Sequence, residues 1–236
     1  MRDQPEQQAP PVQRLRVRYA KRGRLRFTSH RDFSRAFERA LVRARIPMAY
    51  SSGFNPHPRI SYAGASPTGA ASEAEYLEIG LAETVEPASL ARDLDAALPA
   101  GLDVLEVVEA APGSLADRLE ASRWQIDLPL PLDAVAGAVE AFLARESVEV
   151  ERMTKKGLRA FDSRAAVLVL EVTAYDEGSR LAVVLRHTVP AVRPDDVLTG
   201  LRRVGGLEEA GVPLVTRLAQ GPWDAATEVV GDPLSG

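Results

Sequence analysis

The chain has no cysteine among its 236 residues. That excludes a disulfide framework, a thiolate zinc site and a cysteine nucleophile. It also removes the usual ligands of an iron–sulfur cluster. Histidine is nearly as scarce, with only His30, His57 and His187. An imidazole-rich metal site is therefore poorly supplied, and no metal or cofactor is expected. Of 29 basic residues only Lys21, Lys155 and Lys156 are lysines. Beside so much Ala and Val, this arginine excess reflects a GC-rich genome as readily as a function. No run approaches the roughly 18 apolar residues of a membrane helix. The opening MRDQPEQQAPPVQ lacks the apolar core of a signal peptide. A cytoplasmic protein without a membrane partner is the expectation. The nucleotide-binding glycine-rich loops, H-E-x-x-H and G-x-S-x-G are all missing.

What is present is an ordinary globular composition, 45% hydrophobic and 26% charged. The charge is unevenly placed. Residues 1–60 hold 14 Lys/Arg and four Asp/Glu, a net of +10, and the remaining residues carry −14. Within the latter, residues 61–110 hold ten acids and one base, Arg92. A mildly acidic whole hides a basic end, which points to a polyanion-binding face.

The pattern along the chain predicts an α+β fold of two ferredoxin-like, split βαβ units, with antiparallel sheets and helices on one face. Residues 1–12 read as a disordered leader, 13–110 as the first unit, 111–122 as a connector, 123–220 as the second unit and 221–236 as a tail. In the first unit Leu15, Val17 and Tyr19 alternate with Arg14, Arg16 and Arg18, giving a strand with one apolar and one basic face. Arg22-Gly23 reads as a turn and Leu25-Arg26-Phe27 as renewed extended structure. Ser29, three residues before Asp32, opens a helix over about 30–45 with Phe33, Phe37, Ala40 and Leu41 inward. Strands at 59–63 and 75–81, a helix at 87–98 and a strand at 102–108 follow. The second unit repeats the order, with strands at 124–128, 148–153, 165–174, 180–187 and 214–218, and helices at 132–145 and 194–204.

Several segments carry a family resemblance. They are Phe27-x-Ser29-His30-x-Asp32, Tyr50-Ser51-x-Gly53-Phe54-Asn55-Pro56-His57-Pro58 and Gly69-x-x-Ser72-x-x-Glu75-Tyr76. In the second half they are Thr154-Lys155-Lys156-Gly157 and Phe161-Asp162-x-Arg164. Together they resemble a radical-SAM-associated bacterial domain family of unknown function, over nearly the whole chain. Arg31 departs from the pattern, where an apolar residue is expected. Members of that family occur alone or fused behind a radical SAM protein with a cobalamin-type domain. The resemblance implies a radical SAM protein as partner. Without cysteine the chain cannot bind that partner's type of cluster through thiolates, so an accessory role is expected.

Four groups of residues are candidates for function. Arg31, Arg35, Arg39 and Arg43 recur every four residues on the first helix. Arg16, Arg18, Lys21, Arg22, Arg24 and Arg26 precede it as a proposed hairpin. Guanidinium groups suit phosphates, and Tyr19, Phe27 and Tyr50 would stack on unpaired bases. The plain alternative is a solvated face neutralised by the acidic 61–110 segment. In the 51–58 loop, Gly53 and the prolines hold Asn55 and His57 on a stiff segment beside Arg59, suited to an anion. Phe54 would pack into the core. Third, His30 would act as a base with Lys21 or Tyr50 in a metal-independent RNA-cleaving or RNA-modifying enzyme. The layout is similar to that of the CRISPR repeat-processing endoribonucleases. Its plain alternative is that His30 and Asp32 orient the helix start. Fourth, Arg152, Lys155, Lys156, Arg159 and Arg164 form a basic patch, with Asp162 orienting Arg164. A solvated hairpin tip is the competing reading. Glu73, Glu75 and Glu78 offer paired carboxylates on one strand, without a second metal-binding cluster.

The preferred expectation is a non-catalytic accessory protein that binds RNA or another polyanion through its basic face and serves a radical SAM RNA-modification partner. The alternatives are the His30 enzyme and a protein adaptor that docks through the acidic 61–110 surface without nucleic acid.

Overall fold

The computed structural model describes residues 7–154, 157–208 and 211–235. Two compact units divide the chain: residues 1–118 with 233–236, and residues 119–232. Both mix helices with antiparallel strands, as the sequence predicts.

The first unit contains β1 (Gln13–Lys21), α1 (His30–Arg43), β2 (Ile60–Ala63), β3 (Ala71–Leu81), α2 (Pro87–Ala97) and β4 (Leu102–Glu109). Its strands lie in the order β4-β1-β3-β2, each neighbour antiparallel. The strand–helix–strand–strand–helix–strand sequence is compatible with a split βαβ unit. On one face Leu15, Val17 and Tyr19 of β1 meet Leu77, Ile79 and Leu81 of β3. Phe33, Phe37 and Leu41 of α1 and Leu90 and Leu94 of α2 close over them. That face is apolar because β1 alternates with period two while the helices repeat their apolar residues every three to four.

The ends of these elements follow from local chemistry. Ser29 caps α1, its hydroxyl oxygen accepting from the Asp32 amide. Arg45 stops the helix in a left-handed conformation at φ 53°, just ahead of Pro47. Glu86 caps α2 by accepting from the Ser89 amide at 2.6 Å, and Pro87 occupies the first turn.

The second unit contains β5 (Ala121–Leu128), α3 (Leu132–Leu143), β6 (Glu149–Thr154), β7 (Gly157–Asp162), β8 (Val167–Tyr175), β9 (Gly178–Arg186), α4 (Pro194–Gly205) and β10 (Leu214–Gly221). Here the order is β10-β5-β9-β8, again antiparallel. The β6–β7 hairpin is a separate two-stranded insertion between α3 and β8. Two further short strands, β11 (Trp223–Asp224) and β12 (Val229–Val230), pair with each other.

Several expectations are corrected. Residues 23–27 form a 3-10 helix, not extended structure, because Leu25 and Thr28 donate back three residues to Arg22 and Leu25. No hairpin therefore precedes α1. Within the expected leader, the Val12 amide pairs with the Leu81 carbonyl at 2.8 Å, while residues 1–6 lie outside the described ones. Of the expected connector, residues 111–118 belong to the first unit, where Leu115 is buried, and 119–122 to the second. The expected tail is also anchored. Leu234 is buried, and the Arg118 guanidinium donates to the Pro233 and Ser235 carbonyls. None of the described helices is long and apolar enough to cross a membrane.

Candidate nucleic-acid interface

The arginines of β1 are not a free basic face. Arg16 is 0% exposed. Antiparallel register places it opposite Glu78 of β3, and its Nε donates to that carboxylate at 3.2 Å. Its Nη2 donates to the Ala111 and Gly113 carbonyls at 2.8 and 2.7 Å, as the 111–113 segment crosses the sheet. Arg18 donates to the Glu73 carbonyl at 3.0 Å. Arg22 is paired with both Glu73 and Asp103. The Glu73 hydrogen bond, reinforced by Asp103, holds its pKa above the ordinary arginine value against a smaller opposing effect of burial. Lys21 is buried and engaged. Arg16 and Lys21 are thus buried and not outward-facing, and Arg18 is half-buried.

The Glu73, Glu75 and Glu78 carboxylates are likewise committed. Glu75 accepts from the Ser66 amide at 3.2 Å, and the other two hold arginines. Among the described residues no acidic or histidine cluster forms a metal site.

α1 behaves differently. Arg31, Arg35, Arg39 and Arg43 are all exposed. Arg43 is anchored to the Ala97 carbonyl at 3.0 Å. Arg31, Arg35 and Arg39 have no ion pair among the described residues. The row follows from geometry: four residues advance a helix by about 6 Å and slightly more than one turn. Phe33, Phe37, Ala40 and Leu41 take the buried side, so the arginines fall on the solvent side. Arg35, Arg39, Glu38 and the exposed Val42 line an open groove of about 410 Å³. Glu38 offsets only part of the local positive charge.

Aromatic surface lies in the same unit. Phe27 is 58% exposed, with the Arg26 guanidinium 4.8 Å from its ring centre. Arg26 itself is half-buried and its Nε has no partner. Arg24 is exposed. Tyr50 is exposed too, whereas Tyr19 is buried and stacked on Phe33 at 4.6 Å, so Tyr19 is no base platform.

The 51–58 loop is clasped at its base. Tyr50 bridges Pro58, the Ser51 amide donates to the His57 carbonyl at 2.8 Å, and the His57 amide donates to the Ser51 hydroxyl at 3.0 Å. Asn55 and His57 are exposed. Phe54 is 67% exposed, not packed into the core. Gly53 precedes it at φ 124°. Arg59 donates from Nε to the Tyr50 carbonyl at 3.1 Å.

His30 is exposed at the start of α1, its ring edge-on to Tyr62 at 4.8 Å. With Lys21 buried, the structure does not assemble an exposed His30–Lys21 acid–base pair.

In the second unit Lys155 and Lys156 lie outside the described residues. Arg152 pairs with Asp196 and donates to the Ala191 carbonyl at 3.0 Å. Burial raises the Asp196 pKa, against the pull of the Arg193 amide and Arg152. Arg164 donates to the Val167 carbonyl at 3.2 Å. Asp162 does not pair with the Arg164 guanidinium. It accepts instead from the backbone amides of Val148, Arg164 and Ala165. Burial acts to raise the Asp162 pKa, but those amides and Ser147 outweigh it and hold the carboxyl below its ordinary value. Of the expected basic patch, Arg152 and Arg164 are thus engaged internally, whereas Arg159 is exposed.

The fold and the α1 row define a two-unit α+β protein with an exposed row of arginines on α1. A family described as an uncharacterized protein conserved in bacteria, DUF2344, matches residues 14–194, and the chain belongs to that family. No curated protein matches. Among solved structures, an unknown protein from Galdieria sulphuraria is similar over 87% of this chain and 96% of its own, at 13% identity and a TM-score of 0.26. A likeness of that score carries no argument about this chain.

Proposed function

We propose that this protein binds RNA along the exposed face of α1 and serves as an accessory factor to a radical SAM enzyme that modifies RNA. One observation carries the RNA reading. Arg31, Arg35 and Arg39 stay exposed with no ion pair among the described residues, while Arg16 of β1 is buried against Glu78. Guanidinium forks without internal partners are available to phosphate oxygens. The exposed Phe27 and Tyr50 add ring faces of the kind on which unpaired bases stack. The radical SAM partner rests on the motif resemblance alone.

The test is a filter-binding titration of ribosomal and transfer RNA at two salt concentrations. Three phosphate contacts give a single-strand salt slope of about 2, so raising salt from about 50 to about 200 mM lowers affinity roughly 20-fold. Replacing Arg31, Arg35 and Arg39 by Gln flattens that slope. Binding that ignores salt, or a triple variant that matches wild type, refutes the reading. Co-purification of a radical SAM protein from nuclease-treated native lysate tests the partner, and its absence refutes that half.

A further inference from the structure

A cavity of about 310 Å³ lies between the 51–59 loop and the exposed ends of β1, β2 and β3. We propose that it is a binding site for a phosphate monoester, carried either by a free mononucleotide or by an RNA end. The polar groups lining it are Arg14, Ser51, His57, Arg59, Ser61 and Glu78. All belong to the first unit. None lies on α1, so the site is distinct from the arginine row and does not depend on it.

The charge balance selects the ligand. Glu78 is the one carboxylate in the lining, and both its oxygens are engaged. Oε2 accepts from buried Arg16 at 3.2 Å, and Oε1 lies 3.5 Å from Arg14. Arg16, buried and outside the lining, offsets the Glu78 charge, so the two lining cations Arg14 and Arg59 are left to balance an anion. A phosphate monoester near neutral pH carries about −1.5 to −2.

Geometry supports the same class. Arg59 is tethered through its Nε to the Tyr50 carbonyl, which leaves its terminal nitrogens to donate. Arg14 is 62% exposed and can turn toward a ligand. His57 sits on the clasped loop, its backbone fixed at both the amide and the carbonyl by Ser51. The floor is close-packed at Gly80. A Cβ there would lie 3.0 Å from Pro11 and 3.3 Å from Arg59, so glycine lets both side chains settle against the strand. The volume falls at the lower end of the range for small-molecule pockets. That suits a mononucleotide or one terminal residue and not a folded partner.

Calorimetric titration of the full chain tests this with four probes: adenosine 5′-monophosphate, adenosine, and one oligoribonucleotide with either a 5′-phosphate or a 5′-hydroxyl. Adenosine 5′-monophosphate should bind at least tenfold more tightly than adenosine. Arg14→Gln and Arg59→Gln should each weaken it about tenfold or more, while Arg35→Gln leaves it unchanged. An RNA end is the source if the 5′-phosphate oligonucleotide outcompetes the mononucleotide. A free nucleotide is the source if it does not. Equal binding of phosphorylated and unphosphorylated probes overturns the proposal, and this wild-type comparison decides even where a variant fails to fold. Failure of the α1 reading looks different: long RNA then loses its salt-dependent binding while the mononucleotide still binds.

Discussion

Arg16 and Glu78 form a contact whose two halves should not be equally costly to remove. Arg16 has no exposed surface, whereas the Glu78 side chain is 18% exposed and touches Arg14 as well. Glu78→Gln strands a guanidinium in the interior. Removing one partner of a buried pair costs about 3–5 kcal/mol. Arg16→Met keeps an unbranched stem and leaves Glu78 its contact with Arg14. It leaves the Ala111 and Gly113 carbonyls without their donors, but it also removes the desolvation cost of a buried cation. The net cost is about 1–3 kcal/mol. Against a total of about 5–15 kcal/mol, Glu78→Gln is the severe lesion and Arg16→Met the moderate one. Urea unfolding followed by far-ultraviolet circular dichroism measures both. Tryptophan fluorescence is the wrong probe, because Trp124 and Trp223, the only two tryptophans, both belong to the second unit. The reverse order, or two losses within about 0.5 kcal/mol as at an ordinary surface site, would refute the buried placement of Arg16.

Arg35→Gln and Arg39→Gln should each change stability by less than about 0.5 kcal/mol in urea, since neither side chain has an internal ion pair to lose. Arg22→Gln, at a partly exposed pair with Glu73 and Asp103, should cost no more than about 1 kcal/mol, and the cost should shrink in high salt. Gly200→Ala in α4 should destabilise despite the better helix propensity of alanine. The propensity gain is about 1 kcal/mol. The new Cβ would sit 2.7 Å from the Phe142 ring, an overpacking that costs about 1–3 kcal/mol and lowers the melting temperature. The depressed Asp162 carboxyl fixes a sign for pH dependence. Its contribution is present above the unfolded value near 3.8 and is lost as pH falls through the lower folded value. Asp162→Asn should therefore be less stable than wild type at neutral pH, and the gap should narrow on acidification below 3.8. A gap that widens there contradicts the assigned hydrogen bonds.

The helices and the apolar side of each sheet were legible because period and capping are local. Ser29, Asp32 and the Phe33–Phe37–Leu41 spacing state where α1 begins and which side it buries. The other side of β1 was not legible. Its alternation of Arg14, Arg16 and Arg18 reads as a solvated face. The cover comes from Ala111 and Gly113, about 95 residues away, and acts through carbonyl oxygens that leave no side-chain signature. Phe54 misled for the opposite reason. An aromatic in a proline-rich turn looks like an anchor, yet a loop clasped by Ser51 and His57 needs none. The phosphate-monoester cavity was half visible, through His57 and Arg59. Arg14, Ser61 and Glu78 joined it only once strand register was known, since β1 and β2 meet at β3 and nowhere in the sequence.

Register also explains how one arginine-rich stretch yields two populations with opposite fates. β1 lies between β3 and β4, and both carry acids from the 61–110 segment. Antiparallel pairing sets Arg16 opposite Glu78, and Arg18 opposite Glu106. The acidic segment thereby brings the Glu78 carboxylate to Arg14 and Arg16, while Arg18 takes the Glu73 carbonyl. α1 belongs to the other layer. Its apolar side must face the sheet to form the core, so its arginines point away from the strands that carry most of those acids. The same fold that pairs Arg16 with Glu78 thus forbids neutralising α1 from the sheet, and the α1 arginines stay exposed. Moving charge within that helix should change RNA affinity, whereas removing it at the buried Arg16 of β1 should change folding.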